Sequence, residues 1–401
     1  MIARLKIVLR PQLRLWSTFI FSVLFVSLAT LLTGCSHFHQ DSSPEYVYVT
    51  VRKMYLRDRV AVVANRVAEV TNGERLKVLT HDRRFLKVKT PKGAVGWIED
   101  HAVIDQGQFN EFQGLAKQHA MQTPIATATL YNDLYMHLAP ERETRHFYLM
   151  PANAKVFLLQ RASIPKFPAG SVLARVHADQ QASVAAQAQK GHKVSFESKF
   201  LPSVSMDDWW LVRDSTGQTG WMLSQDLDVD VPDVVAQYAE NERMVGAYVL
   251  RTVNDPDSGQ PNGQVPEYLT VLRPYKQGLP YDFDQVRVFT WDTRRHRYGT
   301  SFRKRDFAGF FPVKVTPGDS NSPNGPEPTF TIRVADGDDL SLDPETGVAR
   351  AARMETLTFR LEGNLVHQVL SAGAKPEPRA TRRPVRSRVT HRSRRHKHTR
   401  K

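Results

Sequence analysis

The sequence predicts an all-β protein in which two small barrels precede an antiparallel β-sandwich or barrel, with a disordered basic tail at the end. Three observations predict this class. Short segments of alternating apolar and polar residues, divided by turn residues, recur along most of the chain. One block of these segments occurs twice in the same register. Further strand-like segments fill residues 246–371, between turns rich in Asp, Gly and Pro.

The amino-terminal segment, residues 1–34, is interpreted as a lipoprotein signal peptide. Basic residues up to Arg14 precede an uncharged apolar run that ends in Leu-Thr-Gly34-Cys35. This ending resembles the lipobox of bacterial lipoproteins, which implies cleavage between Gly34 and Cys35 and lipidation of the Cys35 thiol, a strong nucleophile. Ser36 follows the cysteine, which implies the periplasmic face of the outer membrane. The alternative is an uncleaved anchor helix, because about 20 apolar residues span a bilayer.

Catalytic and metal-binding motifs are not found. Cys35 is the only cysteine, which excludes an intrachain disulfide and leaves no thiol for a cysteine nucleophile or a thiolate zinc cluster. The chain contains no G-x-S-x-G, H-E-x-x-H, P-loop or G-x-G-x-x-G motif. The acidic run at 336–339 resembles the start of a calcium loop, but the sixth-position glycine and the terminal glutamate of such a loop are missing. It is therefore interpreted as a solvated turn. The sequence therefore predicts no catalytic residue, no metal and no cofactor.

The net charge of +14 belongs to the two ends of the chain. Without the four basic residues of 1–34 and the twelve basic and one acidic residue of 375–401, 39 basic and 40 acidic residues remain. The basic tail, 372–401, is too poor in apolar residues to fold alone. It is either a solvated tail or a contact for an anionic polymer. The arginines proposed for that contact are Arg382, Arg383, Arg386, Arg388, Arg392, Arg394 and Arg395. Nucleic acid is not an expected partner of an exported protein, and the tail has no aromatic residue for base stacking.

The repeat is visible as constant register. Residues 54–79 align with 134–159 at an offset of 80, and 85–97 align with 209–221 at an offset of 124. The difference is one insertion in the second copy, interpreted as a long surface loop at a hairpin tip. A slip of one residue would turn the wrong face inward, so constant register indicates duplication.

The predicted domain boundaries follow from the repeat. After the tether 35–45 we place one module at 46–105, a connector at 106–124, a second module at 125–228 with its insertion at 160–208, and an all-β region at 246–371.

Both copies resemble bacterial SH3-type (SH3b) domains. The resemblance is carried by "YLR", "NGERLKVL", "FLKVKT" and "GAVGWIEDHAVI" in the first copy, and by their counterparts in the second. It implies small barrels whose shallow aromatic groove binds peptidoglycan stem peptides or a protein. The first copy departs from the family because its loop "DRVAVVANR" lacks the usual Gly-Pro.

Aromatic residues of the modules are assigned two roles. Trp97 and Trp221, each preceded by a glycine, are expected mainly in the barrel core, where the glycine lets the backbone bend. Neighbouring strand residues point to opposite faces, so one of Trp209 and Trp210 is expected near the surface. The closing residues are Gly96, Trp97, Gly220 and Trp221; the candidate groove residues are Tyr55, Tyr135, Trp209 and Trp210.

These features predict a non-catalytic, lipid-anchored protein of the bacterial cell envelope that acts as a tether or scaffold. Its expected partners are a membrane, through the lipid, and peptidoglycan or an envelope protein, through the modules. A lipid and a polybasic segment acting together attach a protein to a membrane more stably than either does alone. One alternative is an envelope hydrolase with carboxylate chemistry in 246–371. Another is a regulator of a separate hydrolase.

Overall fold

Strands dominate the fold. A computed structural model describes residues 44–167, 170–173, 175, 176, 179, 195–319 and 326–369, and every strand pair in them is antiparallel. The predicted all-β class is confirmed. Gly34 and Cys35, the predicted cleavage and lipidation site, and the seven arginines predicted to contact an anionic polymer lie outside the described residues. Within the described part of the chain, no helix has the length and apolar character needed to cross a membrane.

Residue contacts divide the chain into two compact units. The first contains the described residues up to Gln118 together with Asp133–Leu138 and Thr144–Pro151. The second contains His119–Asn132, Ala139–Glu143 and the described residues from Ala152 onward. A hairpin of the second sequence copy is therefore grouped with the first unit, and the units do not follow the repeat boundary.

The first module forms a seven-stranded sheet with the strand order β3-β2-β6-β5-β4-β1-β7. Its strands are β1 Tyr46–Val49, β2 Lys53–Arg57, β3 Arg66–Thr71, β4 Arg75–Asp82, β5 Phe85–Lys89, β6 Val95–Glu99 and β7 Val103–Asp105. The core is made by alternate residues of these strands, among them Val49, Leu56, Leu76, Val88 and Ile98. In the described residues β3 and β7 are not paired with each other, so the sheet is not the closed barrel that we predicted.

Gly96 has a close-packing role in this sheet. A Cβ atom at position 96 would lie 2.7 Å from the Cβ of Leu56 and 3.0 Å from the carbonyl oxygen of Arg57. Only glycine lets β6 approach β2 this closely. Helix α1, Gln106–His119, follows β7. It buries Phe112, and the ring of Phe109 stacks on that of Tyr48 at 3.8 Å.

The second copy repeats the first strand order. Its strands are β8 Ala126–Leu130, β9 Leu134–His137, β10 His146–Met150, β11 Lys155–Pro165, β12 Met206–Arg213, β13 Thr219–Leu223 and β14 Leu227–Val229. The hairpin β9–β10 belongs to the first unit. In the second unit the order is β13-β12-β11-β8-β14, which matches β6-β5-β4-β1-β7.

The insertion is in part regular structure. β11 and β12 stay paired out to Pro165 and Met206, so both ends of the predicted loop 160–208 extend the hairpin. Arg161, Ala162 and Ser163 are buried there, as are Asp207 and Asp208. A short helical turn, Glu197–Lys199, also lies in the insertion, and residues 172, 173, 175, 176 and 179 are helical as well.

The third region forms a seven-stranded meander from β15 to β23 rather than a sandwich or closed barrel, because its edge strands β15 and β23 are not paired in the described residues. A short helix, α2 Asp233–Ala236, precedes it. Its strands are β15 Glu242–Asn254, β16 Gln264–Pro274, β17 Phe283–Asp292, β18 Arg297–Thr316, β19 Thr329–Ala335, β22 Met354–Glu362 and β23 Leu365–Val369. β20 Leu340–Leu342 and β21 Ala349–Ala351 form a separate ribbon.

A buried charge network lies inside the second unit. Arg161, 1% exposed, donates from Nη2 to the carbonyl oxygens of Leu279 and Tyr281, each at 2.7 Å. Its Nε donates to Asp282 Oδ1 at 3.1 Å, and its Nη1 donates to Asp208 Oδ1 at 3.2 Å. The network thus joins β11 and β12 to the segment between β16 and β17.

Asp208 is the anion at the centre of this network. It also accepts from Gly278 N at 3.0 Å, and its second oxygen pairs with Arg273 Nη1 at 3.0 Å. Burial alone would raise the pKa of Asp208. The charges of Arg273 and Arg161, with the hydrogen bond from Ser163, outweigh burial and hold the pKa below its usual value. The carboxylate of Asp208 is therefore ionised, and the positive charges of Arg161 and Arg273 balance its negative charge.

Candidate functional site

An aromatic groove of about 300 Å³ lies on the first module. Three rings line it: Tyr55 from β2, Phe85 from β5 and Trp97 from β6. Val62, from the loop between β2 and β3, adds an aliphatic side chain, and the core residue Ile98 and Met54, which packs against the core, border the groove. The groove is thus a concave surface of mixed character, in which aromatic rings lie next to the charged side chains of Arg57, Arg66 and Glu99.

Strand alternation places two of the rings. In β2, Leu56 is fully buried, so its neighbours Tyr55 and Arg57 point away from the core. In β6, Gly96 and Ile98 point inward, and Trp97 between them lies on the outer face. Arg57 is the direct strand partner of Trp97, so Tyr55 and Trp97 lie along one face.

The position of Trp97 differs from the one that we predicted. We expected it mainly in the core, and it is instead partly exposed and lines the groove. The inward position is taken by Gly96, so the tryptophan next to it must face outward. Its counterpart Trp221 is 8% exposed and does belong to the buried residues. Gly220, its neighbour, is buried as well.

Charged side chains surround the rings. The guanidinium of Arg66 lies 4.5 Å from the centre of the Tyr55 ring, and the Lys87 ammonium lies 5.9 Å from the Trp97 ring. Such contacts are worth about 0.5–1 kcal/mol at exposed sites and hold the rings in place. Arg57 and Glu99 approach within 3.8 Å, a loose pair at the edge of the groove. The groove therefore offers a cation and an anion next to aromatic faces.

The loop 58–65 forms one wall of the groove and is closed by Asp58. The two carboxylate oxygens of Asp58 accept from the backbone N and the side-chain amide of Asn65, at 2.9 and 3.0 Å. Partial desolvation opposes ionisation of Asp58, but these bonds and Arg59 outweigh it and lower its pKa. At the loop tip, Val62 and Val63 are 102% and 83% exposed. The carboxylate of Asp58 thus braces the base of this loop.

The second copy does not form an equivalent groove from the predicted residues. Trp209 and Trp210 are 1% and 2% exposed, so the expectation that one of them lies near the surface is wrong. The whole of β12 up to Val212 is buried on both faces. Trp210 meets the ring of Phe311 from the third region at 6.1 Å. Tyr135 is partly exposed and packs against His146 at 4.7 Å.

Of the four predicted groove residues, only Tyr55 lines the observed groove. Phe85, Trp97, Val62 and Arg66 are groove residues that sequence reasoning did not assign. A signal for Phe85 was present, because the repeat aligns it with Trp209. No comparable signal existed for the loop residue Val62.

A second cluster of titratable groups lies in the third region. The hydroxyl of Tyr281 donates to Asp284 Oδ2 at 3.3 Å, and Gln285 Nε2 donates to Glu242 Oε2 at 2.9 Å. Burial, followed by the charge of Glu242, raises the pKa of Asp284 to about 7. Burial also raises the pKa of Glu242. In the described residues, no group of three or more His, Cys, Asp or Glu side chains is arranged to hold a metal ion.

Comparisons with known proteins identify no family. No family model matches the sequence, and no curated protein matches it either. One similar solved structure is NlpC2 from Trichomonas vaginalis, with 10% identity, 81% of this chain and 96% of that chain covered, and a TM-score of 0.14. Another is NlpC1 from Trichomonas vaginalis, with 10% identity, 68% and 96% covered, and a TM-score of 0.15. TM-scores of this size do not establish a shared fold.

Proposed function

We propose that this chain is a non-catalytic, lipid-anchored protein of the bacterial cell envelope that holds peptidoglycan or a protein partner in the groove of its first module. The observation that carries the proposal is the open groove lined by Tyr55, Phe85 and Trp97. The lipobox resemblance at Cys35 supports the anchor and the periplasmic face of the outer membrane. The basic tail adds a contact to an anionic polymer at the same surface.

The chemistry of the groove favours a short peptide that carries its own charges. Aromatic faces stack on flat amide groups and on aliphatic side chains with little loss of entropy. Arg57 and Glu99 at the edge are suited to a carboxylate and an amine of one ligand. Peptidoglycan stem peptides carry both groups, so they are the first ligand to test.

Co-sedimentation with purified sacculi tests the groove. The protein is the chain from residue 35 onward with Cys35→Ser, which keeps every described residue and lacks the lipid. Trp97→Ala is expected to weaken binding by roughly 30-fold, the loss typical of an aromatic hot spot. Because stacking on the rings is not screened by salt, part of the binding by the parent protein is expected to persist at high salt.

Tyr135→Ala is the matched control, because it removes the aromatic residue that occupies the Tyr55 position in the second copy. It should bind like the parent. Equal binding by Trp97→Ala and the parent would contradict a role of the groove in wall binding. Complete loss of binding at high salt in the parent would instead assign wall adhesion to the tail, and the groove would then be tested against protein partners, including a separate hydrolase.

The anchor has its own test. In cells, Cys35→Ser in the full chain is expected to move the protein from the membrane fraction to the soluble fraction, because no thiol remains for lipidation. Cys35→Ala is the second variant, and both should behave alike. A Cys35→Ser protein that stays membrane-bound with its leader processed as before would contradict lipid anchoring.

A second candidate function is favoured by the buried carboxyl of Asp284, which accepts a hydrogen bond from Tyr281 and whose pKa is raised to about 7 by burial and by the charge of Glu242. A carboxylate-based hydrolase of glycan strands uses one carboxyl with a raised pKa as acid and a second, ionised carboxylate as base or nucleophile, and Asp284 would be the acid of such a pair. Incubation of sacculi with the protein distinguishes the two functions. Release of soluble fragments that is abolished by both Asp284→Asn and Glu242→Gln would favour the hydrolase, and no release would favour the tether.

A further inference from the structure

The hairpin between β17 and β18 carries a dense positive charge. Its tip is formed by Arg294, Arg295, His296 and Arg297, all exposed, and these four residues are named the basic hairpin here. No acidic residue occurs from Thr293 to Arg305, which also contains Arg303 and Lys304. The body of the chain is nearly neutral overall, but it carries this local cationic surface. The surface belongs to a folded hairpin and not to the tail.

The turn is held rigid from both sides. Asp292 Oδ1 accepts from the backbone N of Arg294 at 3.0 Å and of Arg295 at 3.2 Å. His296 takes a positive φ of 48°, and its Nδ1 lies 2.9 Å from Asp255 Oδ2. Asp255 is 5% exposed and also accepts from Trp291 Nε1 at 2.7 Å. The backbone that presents the arginines is thus ordered before any ligand binds, which lowers the entropic cost of binding.

The arginines at the tip of the hairpin form fewer close ion pairs with carboxylates than Arg303, further along β18. Arg303 forms a 2.7 Å ion pair with Glu240. At the tip, Arg295 pairs loosely with Asp292 at 3.8 Å, and its side chain is 68% exposed, while His296 pairs with the buried Asp255 at 2.9 Å. In the part of the chain that the structure describes, no ion pair joins Arg294 or Arg297 to a carboxylate. The positive charge of the basic hairpin is therefore available to an external anion.

We propose that the basic hairpin binds the phosphate groups of an anionic lipid surface. The guanidinium group matches phosphate with two parallel N–H donors, so three neighbouring arginines favour phosphate over a diffuse negative field. The choice of a lipid surface rests on the lipid anchor of the proposed function, because the anchor keeps the protein next to headgroups. The hairpin adds a folded, orienting contact to the attachment by lipid and tail.

Vesicle sedimentation tests the proposal without the anchor or the groove. The protein is the chain from residue 35 onward with Cys35→Ser and all twelve Lys and Arg residues of 375–401 replaced by Gln, so that neither lipid nor tail cations contribute. The vesicles contain equal parts of phosphatidylglycerol and phosphatidylcholine, or phosphatidylcholine alone. Replacing Arg294, Arg295 and Arg297 by Gln is expected to weaken binding to the anionic vesicles about a hundredfold, since each surface arginine contributes roughly fivefold.

The control has the same change in net charge. Arg350, Arg353 and Arg360 are exposed arginines of the third region that pair with Asp343, Asp336 and Glu362. Their replacement by Gln should change vesicle binding little, because their charge is already compensated. Equal losses in both triple variants would overturn the proposal in favour of net charge alone.

Two further results would overturn it. One is binding of the hairpin variant at the parent level. The other is binding of the parent to soluble polyphosphate but not to anionic vesicles, which would reject lipid as the source of the phosphate. Because all three side chains are exposed, the thermal unfolding midpoint of the variant should match that of its parent, which excludes misfolding as the cause. A negative result here leaves the Cys35→Ser and Trp97→Ala tests unaffected.

Discussion

Arg161→Ala is expected to lower the free energy of unfolding of the second unit by about 3–5 kcal/mol, the usual cost of breaking a buried ion pair from one side. The substitution removes the donors to two backbone carbonyls and leaves Asp208 and Asp282 with less compensating charge. Asp208 is 4% exposed, so water cannot easily replace the lost contacts. Denaturant unfolding, followed by tryptophan fluorescence, measures the change.

The matched control for Arg161 is Arg350→Ala. Arg350 also pairs with an aspartate, Asp343 at 2.7 Å, but its side chain is 64% exposed. Exposed pairs contribute about 0–1 kcal/mol, so this variant should unfold close to the parent. Equal effects of the two substitutions would show that the Arg161 network is solvated. Arg161→Met is informative too, because it keeps volume while leaving the carboxylates uncompensated, and it should be nearly as destabilising as Arg161→Ala.

Asp284→Asn is expected to stabilise the protein at pH 8 and to remove part of the pH dependence of its stability. The folded-state pKa of Asp284 is raised from 3.8 to about 7 by burial and by Glu242. Below pH 4 the carboxyl is protonated in both states and contributes nothing. Between pH 4 and 7 only the unfolded state releases the proton, so stability falls as pH rises. Above pH 7 the full penalty remains, on the order of 4 kcal/mol at most.

The measurement is the free energy of unfolding of parent and variant at several pH values from 4 to 8. The difference between them should be small at pH 4 and should grow toward pH 8. Asp343→Asn serves as a control of opposite sign, because hydrogen bonds from Thr346 lower the pKa of Asp343. Its stabilising contribution is present at neutral pH and is lost as pH falls through the folded-state pKa. An Asp284→Asn protein less stable than the parent at pH 8 would contradict the assigned burial of an ionisable carboxyl.

The repeat explains how much of the fold could be predicted. Constant register between the copies placed equivalent strands, and the structure has the same strand order in both, β6-β5-β4-β1-β7 and β13-β12-β11-β8-β14. Alternation in β2 was equally informative, since a buried Leu56 requires an outward Tyr55. The same rule applied to β6 would have placed Trp97 outside. We instead expected Trp97 in the core because large aromatic residues dominate small cores, and that expectation was wrong.

The burial of the aromatic residues in the two copies could not be predicted from strand alternation alone. Alternation states that Trp209 and Trp210 point to opposite faces of β12, but it does not state whether the outer face meets water. In the second copy both rings are buried: Trp210, the counterpart of the core residue Leu86, contacts Phe311, and Trp209, the counterpart of Phe85, is 1% exposed. In the first copy the corresponding ring, Phe85, lies in an open groove. Two copies of one pattern thus have different surfaces.

The sequence by itself determined the all-β class, the duplication and the inward-facing residues of most strands, because these depend on the period of apolar residues along a short segment. Tertiary structure decided which copy keeps an open groove, and it paired Arg161 with Asp208 and Asp282, which are 47 and 121 residues away. It also placed Asp255 under His296 in the basic hairpin. Such contacts depend on which distant segments cover a given face, and no local periodicity encodes that choice.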